Sequence, residues 1–195
     1  MPKIAAPITQ DELSALRSIA GRKLPKEFET LLLKFARSVE FFWEVPDVFD
    51  ESPIPEGISF GGGTLWDYSH LADCCRGMAE HESSPWLAFR DGLRERLPFH
   101  HVGNGDLLAL CMRKHDSHCP VIYLSHDNDP DRHNRQIAPN VVDFIANWSA
   151  IGCVSTDLHN LDSFINKRER RLNGYGTAAK KLRRDLLSFP VLDGE

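Results

Sequence analysis

An α+β fold is predicted by the order of patterns along the 195 residues. Helical periodicity leads, β-branched and aromatic runs cluster in the middle, and helical, charged sequence ends the chain. Apolar residues make up 42% and charged residues 26%, which excludes collagenous, disordered and coiled-coil classes. The length fits one domain with a short appendage. Eleven Phe and four Trp supply the bulk of a single core.

Thr9-Gln10-Asp11-Glu12 is a capping-box pattern, with a hydroxyl at the N-cap and a carboxylate three residues on. Leu13, Leu16 and Ala20 follow at helical spacing, so a helix is expected over 10–20, stopped by Gly21. Leu24-Pro25 opens a second helix whose stripe is Phe28, Leu31, Leu32, Phe35 and Val39. The aromatic run 40–45 reads as a strand, 53–57 as a loop and 58–60 as a short strand broken by Gly61-Gly62-Gly63. Helices are expected over 67–79 and 85–96, the second closed by Pro98. Strands follow at 99–102, 107–112 and 121–124, with an Asn104-Gly105 turn between the first two. Residues 127–140 read as a polar loop. A helix over 141–151 aligns Val141, Ile145 and Trp148 and ends at Gly152; beyond Cys153 the chain reads as helical, interrupted near 173–176.

A search for catalytic patterns excludes more than it finds. The glycine triplet lacks the lysine ending of a phosphate loop, and neither a dinucleotide fingerprint nor a serine-hydrolase elbow occurs. Cys111, His115, His118, Cys119 and His126 carry zinc-type donors, but His118 and Cys119 are adjacent and would point to opposite faces of a strand, so no metal or other cofactor is expected. The acidic run 127–131 imitates a calcium loop but has Arg132 where glycine is required and Ala138 where the bidentate glutamate belongs. Asp67, His70, Asp73, His81, His100 and His101 are acid–base candidates whose convergence the sequence leaves open. Cys74 and Cys75 have only Arg76 nearby to lower a thiol pKa. Five cysteines, two adjacent, fit reduced thiols better than a disulfide framework.

Charge is unevenly distributed. Residues 167–184 hold eight bases (Lys167, Arg168, Arg170, Arg171, Lys180, Lys181, Arg183, Arg184) against Glu169, a local +7. The total is −5, so the rest of the chain carries −12. The longest run free of charged residues, Phe144–Thr156, has 13 residues, short of the ~18 that a membrane span needs. The first residues lead into Asp11 and Glu12 with no apolar stretch, the pattern of a cytoplasmic chain without a signal peptide.

Several blocks occur in an order that resembles the SUKH superfamily, the Smi/Knr cell-wall-regulator-like domains. They are the Leu24-Pro25 helix entry, the turn Gly103-Asn104-Gly105-Asp106 with strand Leu107–Leu110, the run Pro120–Asp127, and the helix with Phe144 and Trp148. Two positions depart from the family pattern: Cys111-Met112 stands where many members carry an aspartate, and Ser38-Val39-Glu40 where many have an asparagine-glycine-glycine turn. The resemblance implies a central, largely antiparallel sheet flanked by helices in a domain over 1–155, with a basic helical extension over 156–195. It also implies a non-catalytic protein-binding module. Bacterial members are mostly immunity proteins that neutralise a cognate toxin, often a nuclease, and fungal relatives are signalling scaffolds.

On that reading, the candidate contacts for a basic partner are Asp47, Asp50, Glu51, Trp66, Asp67, Asp106, Asp116, Asp127, Asp129 and Asp131. For each acid the alternative is plain solubility, for Asp106 a turn residue bonding its own backbone, and for Trp66 a core anchor. The basic stretch 167–184 is the alternative interface, suited to nucleic acid or an acidic partner, with Tyr175 able to stack on a base; a solvated helix face or a tail docked on the acidic body competes with it.

Overall fold

The computed structural model describes residues 3–21, 23–41, 63–80, 96–112, 119–127, 129 and 131–187. Among these, strand β1 (Lys3–Ile4) precedes helices α1 (Gln10–Ala20) and α2 (Lys26–Lys34), then come β2 (Ser38–Phe41), β3 (Gly63–Asp67) and helix α3 (Tyr68–Glu80). Strands β4 (Arg96–His101), β5 (Leu107–Cys111), β6 (Val121–Leu124) and β7 (Arg135–Ala138) follow. Helices α4 (Val141–Ala150) and α5 (Leu158–Leu161), a 3-10 turn at Asp162–Phe164, strands β8 (Ile165–Asn166) and β9 (Arg171–Leu172) and helix α6 (Thr177–Leu187) complete the order.

The capping box is formed as expected. Thr9 Oγ1 accepts the Glu12 N–H at 3.2 Å, and the Glu12 carboxylate accepts the Thr9 N–H at 2.8 Å. Gly21 closes α1 in the left-handed region at φ 63°. Helix α2 is shorter than its apolar stripe. It ends at Lys34 with Phe35 and Ala36 both bonded back to Leu31, which leaves Phe35 exposed and places Val39 on a strand.

Two antiparallel sheets carry the middle of the chain, ordered β1-β2-β3 and β4-β5-β6-β7, which makes the fold α+β. Helix α3 packs against β3 and β4, which lie side by side. An aromatic chain ties the layers together. Phe28 meets Trp66 at 6.1 Å and Phe99 at 6.0 Å between centroids, Phe99 meets Phe144 at 6.2 Å, and Phe144 stacks on Trp148 at 5.7 Å. Alternation along the central strands buries both faces: Leu108, Leu110, Val121 and Tyr123 join the main core, and Leu107, Ala109, Cys111, Ile122 and Leu124 form a second cluster behind it. The main core continues past residue 155 through Leu158, Leu161, Phe164, Ile165, Leu172, Ala179 and Leu182.

Three local expectations are corrected. Pro98 does not end a helix; it lies within β4, an edge strand where a missing N–H is tolerated, beside an irregularity between Pro98 and His100. Residues 135–138, expected as loop, form edge strand β7, whose only fully buried side chains are Ile137 and Ala138. The stretch beyond Cys153 is not continuous helix: Ile165–Asn166 and Arg171–Leu172 pair as a small hairpin, with Arg170 at φ 50° in its turn. The expected strand at 58–60 and most of the helix expected over 85–96 lie outside the described residues.

Candidate functional site

The turn between β4 and β5 is closed by Val102 N–H to Asp106 C=O at 2.9 Å and by Gly105 N–H to Val102 C=O at 3.0 Å, with Gly105 at φ 92°. This geometry drives the Asp106 side chain inward, where it is 1% exposed. One of its oxygens accepts the His126 backbone N–H at 2.8 Å and the His126 ring Nδ1–H at 2.6 Å. The other accepts the Asn104 amide at 2.9 Å and the Tyr123 hydroxyl. Burial pushes the Asp106 carboxyl up, but the donated bonds from Tyr123, His126 and Asn104 outweigh it and hold the group below its ordinary value. Tyr123 moves the opposite way: burial, and then the facing carboxylate, raise its phenol. The Asn104 amide also reaches Asp157 Oδ2 at 2.6 Å, tying the turn to the cap of α5.

This clasp fixes the start of the acidic loop between β6 and β7. Asp127 accepts the Ser125 hydroxyl and the Asp129 N–H, and Asp129 accepts the Asp131 N–H at 2.9 Å. Asp127 is held below its ordinary value by the Ser125 hydroxyl and the Asp129 N–H. Asp127 and Asp131 are exposed, whereas Asp129 is half-buried and paired with Arg132 at 3.2 Å. A cleft of about 540 Å³ separates this loop from the β8–β9 hairpin, with Asp131 and His133 on one side and Lys167 and Arg170 on the other.

The other expected contact residues fall into three groups. Asp106 and Trp66 are buried, not exposed. The Asp106 carboxylate is enclosed by its donors, and Trp66 sits on β3 at 1% exposure with its indole N–H donating to Ala36 C=O at 3.2 Å. Asp67 caps α3, accepting the Ser69 N–H at 2.9 Å and the His70 N–H at 3.2 Å; burial raises its carboxyl, but these bonds and the Ser69 hydroxyl outweigh it and lower it. Asp47, Asp50, Glu51 and Asp116 lie outside the described residues.

The basic stretch is spread over a hairpin and a helix. Arg183 is turned inward, donating to the Ala150 and Gly174 carbonyls at 2.6 Å each, with its guanidinium 5.7 Å from the Tyr175 ring centre. Arg171 pairs with Glu169 at 2.7 Å, and Arg184 lies 3.6 Å from Asp185. Lys167, Arg168, Arg170, Lys180 and Lys181 are exposed. Gly174 seats directly on α4: a Cβ there would stand 2.4 Å from the Asn147 carbonyl oxygen.

Among the acid–base candidates, His100 is buried between Thr64 C=O at 3.0 Å and Thr156 Oγ1 at 2.6 Å. A carbonyl only accepts, so Nδ1 carries the proton and Nε2 accepts from the hydroxyl. Burial pushes His100 down to about 4. Asp73 is an exposed partner of Arg76, and His81 lies outside the described residues. Within the zinc-type set, Cys111 is buried and Cys119 half-buried near the ends of β5 and β6, while His115 and His118 lie outside the described residues and His126 is committed to Asp106. Among the described residues, the metal-type grouping that forms is His70, Cys74 and His101, whose donor atoms all lie within 4.8 Å of one another. The i, i+4 spacing of His70 and Cys74 is visible in the sequence; the approach of His101 is not. Burial, then the neighbouring Cys75 and Asp73, push the Cys74 thiol up to about 12, so it is not a ready nucleophile.

No described helix is long and apolar enough to cross a membrane. A search of curated proteins and a search of solved structures each gave no match. The model of the SMI1 / KNR4 family (SUKH-1) matches residues 7–147, from the residues before α1 to the last turn of α4, and includes the Asp106 clasp and the acidic loop. That span is well over half of the chain, and the antiparallel β4–β7 sheet with its flanking helices agrees with it: the chain belongs to the SMI1 / KNR4 family (SUKH-1).

Proposed function

We propose that this protein is a non-catalytic immunity protein that binds a basic toxin, most simply a nuclease, and covers the cleft that receives its phosphate substrate. The observation that carries this reading is the acidic loop held by a buried carboxylate: Asp106 grips His126, and Asp127 and Asp131 project from the rim beside it. Family membership supports it, since the resemblance to SUKH domains implies a protein-binding module. The charge of −12 outside residues 167–184 supports steering toward a basic surface.

The test is co-expression with the product of the gene immediately upstream, followed by purification of the pair. A stable complex and rescue of growth are expected. The triple variant Asp127→Asn, Asp129→Asn, Asp131→Asn should slow association at least ~10-fold at low salt and flatten its salt dependence. Absence of both complex and rescue overturns the immunity reading; an association rate unchanged in the triple variant removes the acidic loop from it.

A further inference from the structure

His70 and Cys74 stand one turn apart on the same face of α3, with Nε2 and Sγ 3.3 Å apart. The third member comes from β4. His100 is held inward by Thr64 and Thr156, so strand alternation sends the next side chain, His101, to the opposite face and toward α3. The His70 and His101 rings meet edge to face, 4.2 Å between centroids. We propose that His70, Cys74 and His101 form a binding site for one zinc-class divalent cation, which pins α3 to the outer end of β4.

The donors suit that ion. Two imidazole nitrogens and a thiolate form a borderline-to-soft set that favours zinc over magnesium or calcium. Tetrahedral zinc, with nitrogens at about 2.0–2.1 Å and sulfur at about 2.3 Å, places its ligand atoms about 3.3–3.6 Å apart. All three donors already lie within 4.8 Å of one another, and His101 sits at an exposed strand end. Asp67 is occupied in capping α3 and His100 in the core, so among the described residues three ligands are supplied, and water fills the fourth position. On binding, the Cys74 S–H bond breaks, the proton passes to solvent, and the sulfur lone pair forms the metal–sulfur bond. Affinity therefore rises with pH.

The full-length chain, produced without a histidine tag and stripped with a chelator, is titrated with cobalt(II) and then zinc(II). One cobalt per chain is expected, with tetrahedral d–d absorption and a thiolate-to-cobalt charge-transfer band, both lost as one equivalent of zinc displaces the cobalt. Cys74→Ser should abolish the charge-transfer band, and His101→Gln should weaken binding at least ~10-fold. Cys119→Ser should change neither. Circular dichroism checks each fold; if Cys74→Ser fails to fold, the exposed His101→Gln variant decides the question. No stoichiometric binding by the wild-type chain, a charge-transfer band that survives Cys74→Ser, or an affinity indifferent to His101→Gln overturns the site.

Discussion

The Asp106 carboxylate accepts two hydrogen bonds from one residue, the backbone N–H of His126 at 2.8 Å and its ring Nδ1–H at 2.6 Å. Asp106 ends the β4–β5 turn and His126 stands at the start of the loop after β6, so a single buried group fixes both. Its second oxygen, facing the Tyr123 hydroxyl and the Asn104 amide, is also saturated with donors.

Asp106→Asn sets an amide donor against donors already in place. A loss of about 1–3 kcal/mol is expected for the buried group left unsatisfied, and Asp106→Ala should cost at least as much. Urea denaturation at pH 7 measures both. Asp131→Asn, on the exposed rim of the same loop, should stay within about 0.5 kcal/mol of wild type.

Stability should fall with acid in two stages. His100 is pushed from its ordinary 6.5 to about 4, so the folded state favours the neutral ring. Its contribution is complete above pH 6.5 and is lost as pH falls toward 4, on the order of 3 kcal/mol in all. Asp106, held below its ordinary value, contributes above roughly pH 3.9, and that part is lost as pH falls through its folded value. Denaturation midpoints between pH 7.5 and 3 check the profile. His100→Asn should flatten the upper stage and Asp106→Asn the lower one.

Gly174→Ala should be destabilising although it adds one methyl group. The new carbon would stand 2.4 Å from the Asn147 carbonyl oxygen and 2.7 Å from the Ala150 Cβ. Relief requires α6 and its approach to move away from α4, at a cost of roughly 1–3 kcal/mol. The thermal midpoint should drop by several degrees, and Arg183→Ala, which removes a bond to the Ala150 carbonyl of α4 and one to the Gly174 carbonyl, should lower it too.

Cys74 and Cys153 should resist alkylation in the folded, metal-free protein. Burial pushes them to about 12 and about 11, which leaves little thiolate at neutral pH. Iodoacetamide labelling read by mass spectrometry at pH 7.5 should modify both slowly in buffer and rapidly in urea. Fast native labelling of either would contradict the assigned burial.

The parts legible in the sequence are those whose partners are close along the chain. Thr9 and Glu12 lie three residues apart, so the capping box and α1 are both readable. Strand β7 is not, because Arg135 and Gln136 are half-exposed on an edge strand and leave only two apolar positions as a signal. The β8–β9 hairpin is hidden by its charged turn, which resembles a solvated helix face. Asp106 is recognisable as a turn residue, but its enclosure depends on Tyr123 and His126, 17 and 20 residues away, brought alongside only by sheet pairing. The His70–Cys74 spacing could be read directly, while His101 arrives through the packing of β4 on α3.

Asn104 has an evolutionary consequence. Its amide joins Asp106 in the turn to Asp157 at the cap of α5, and the Gly174 N–H reaches back to Asn147 at 2.9 Å. The C-terminal forty residues are therefore not an interchangeable cassette. A chimaera that takes them from a relative lacking acceptors for Asn104, or a small residue opposite Asn147, inherits mismatched joints, so the two portions are expected to diversify in step.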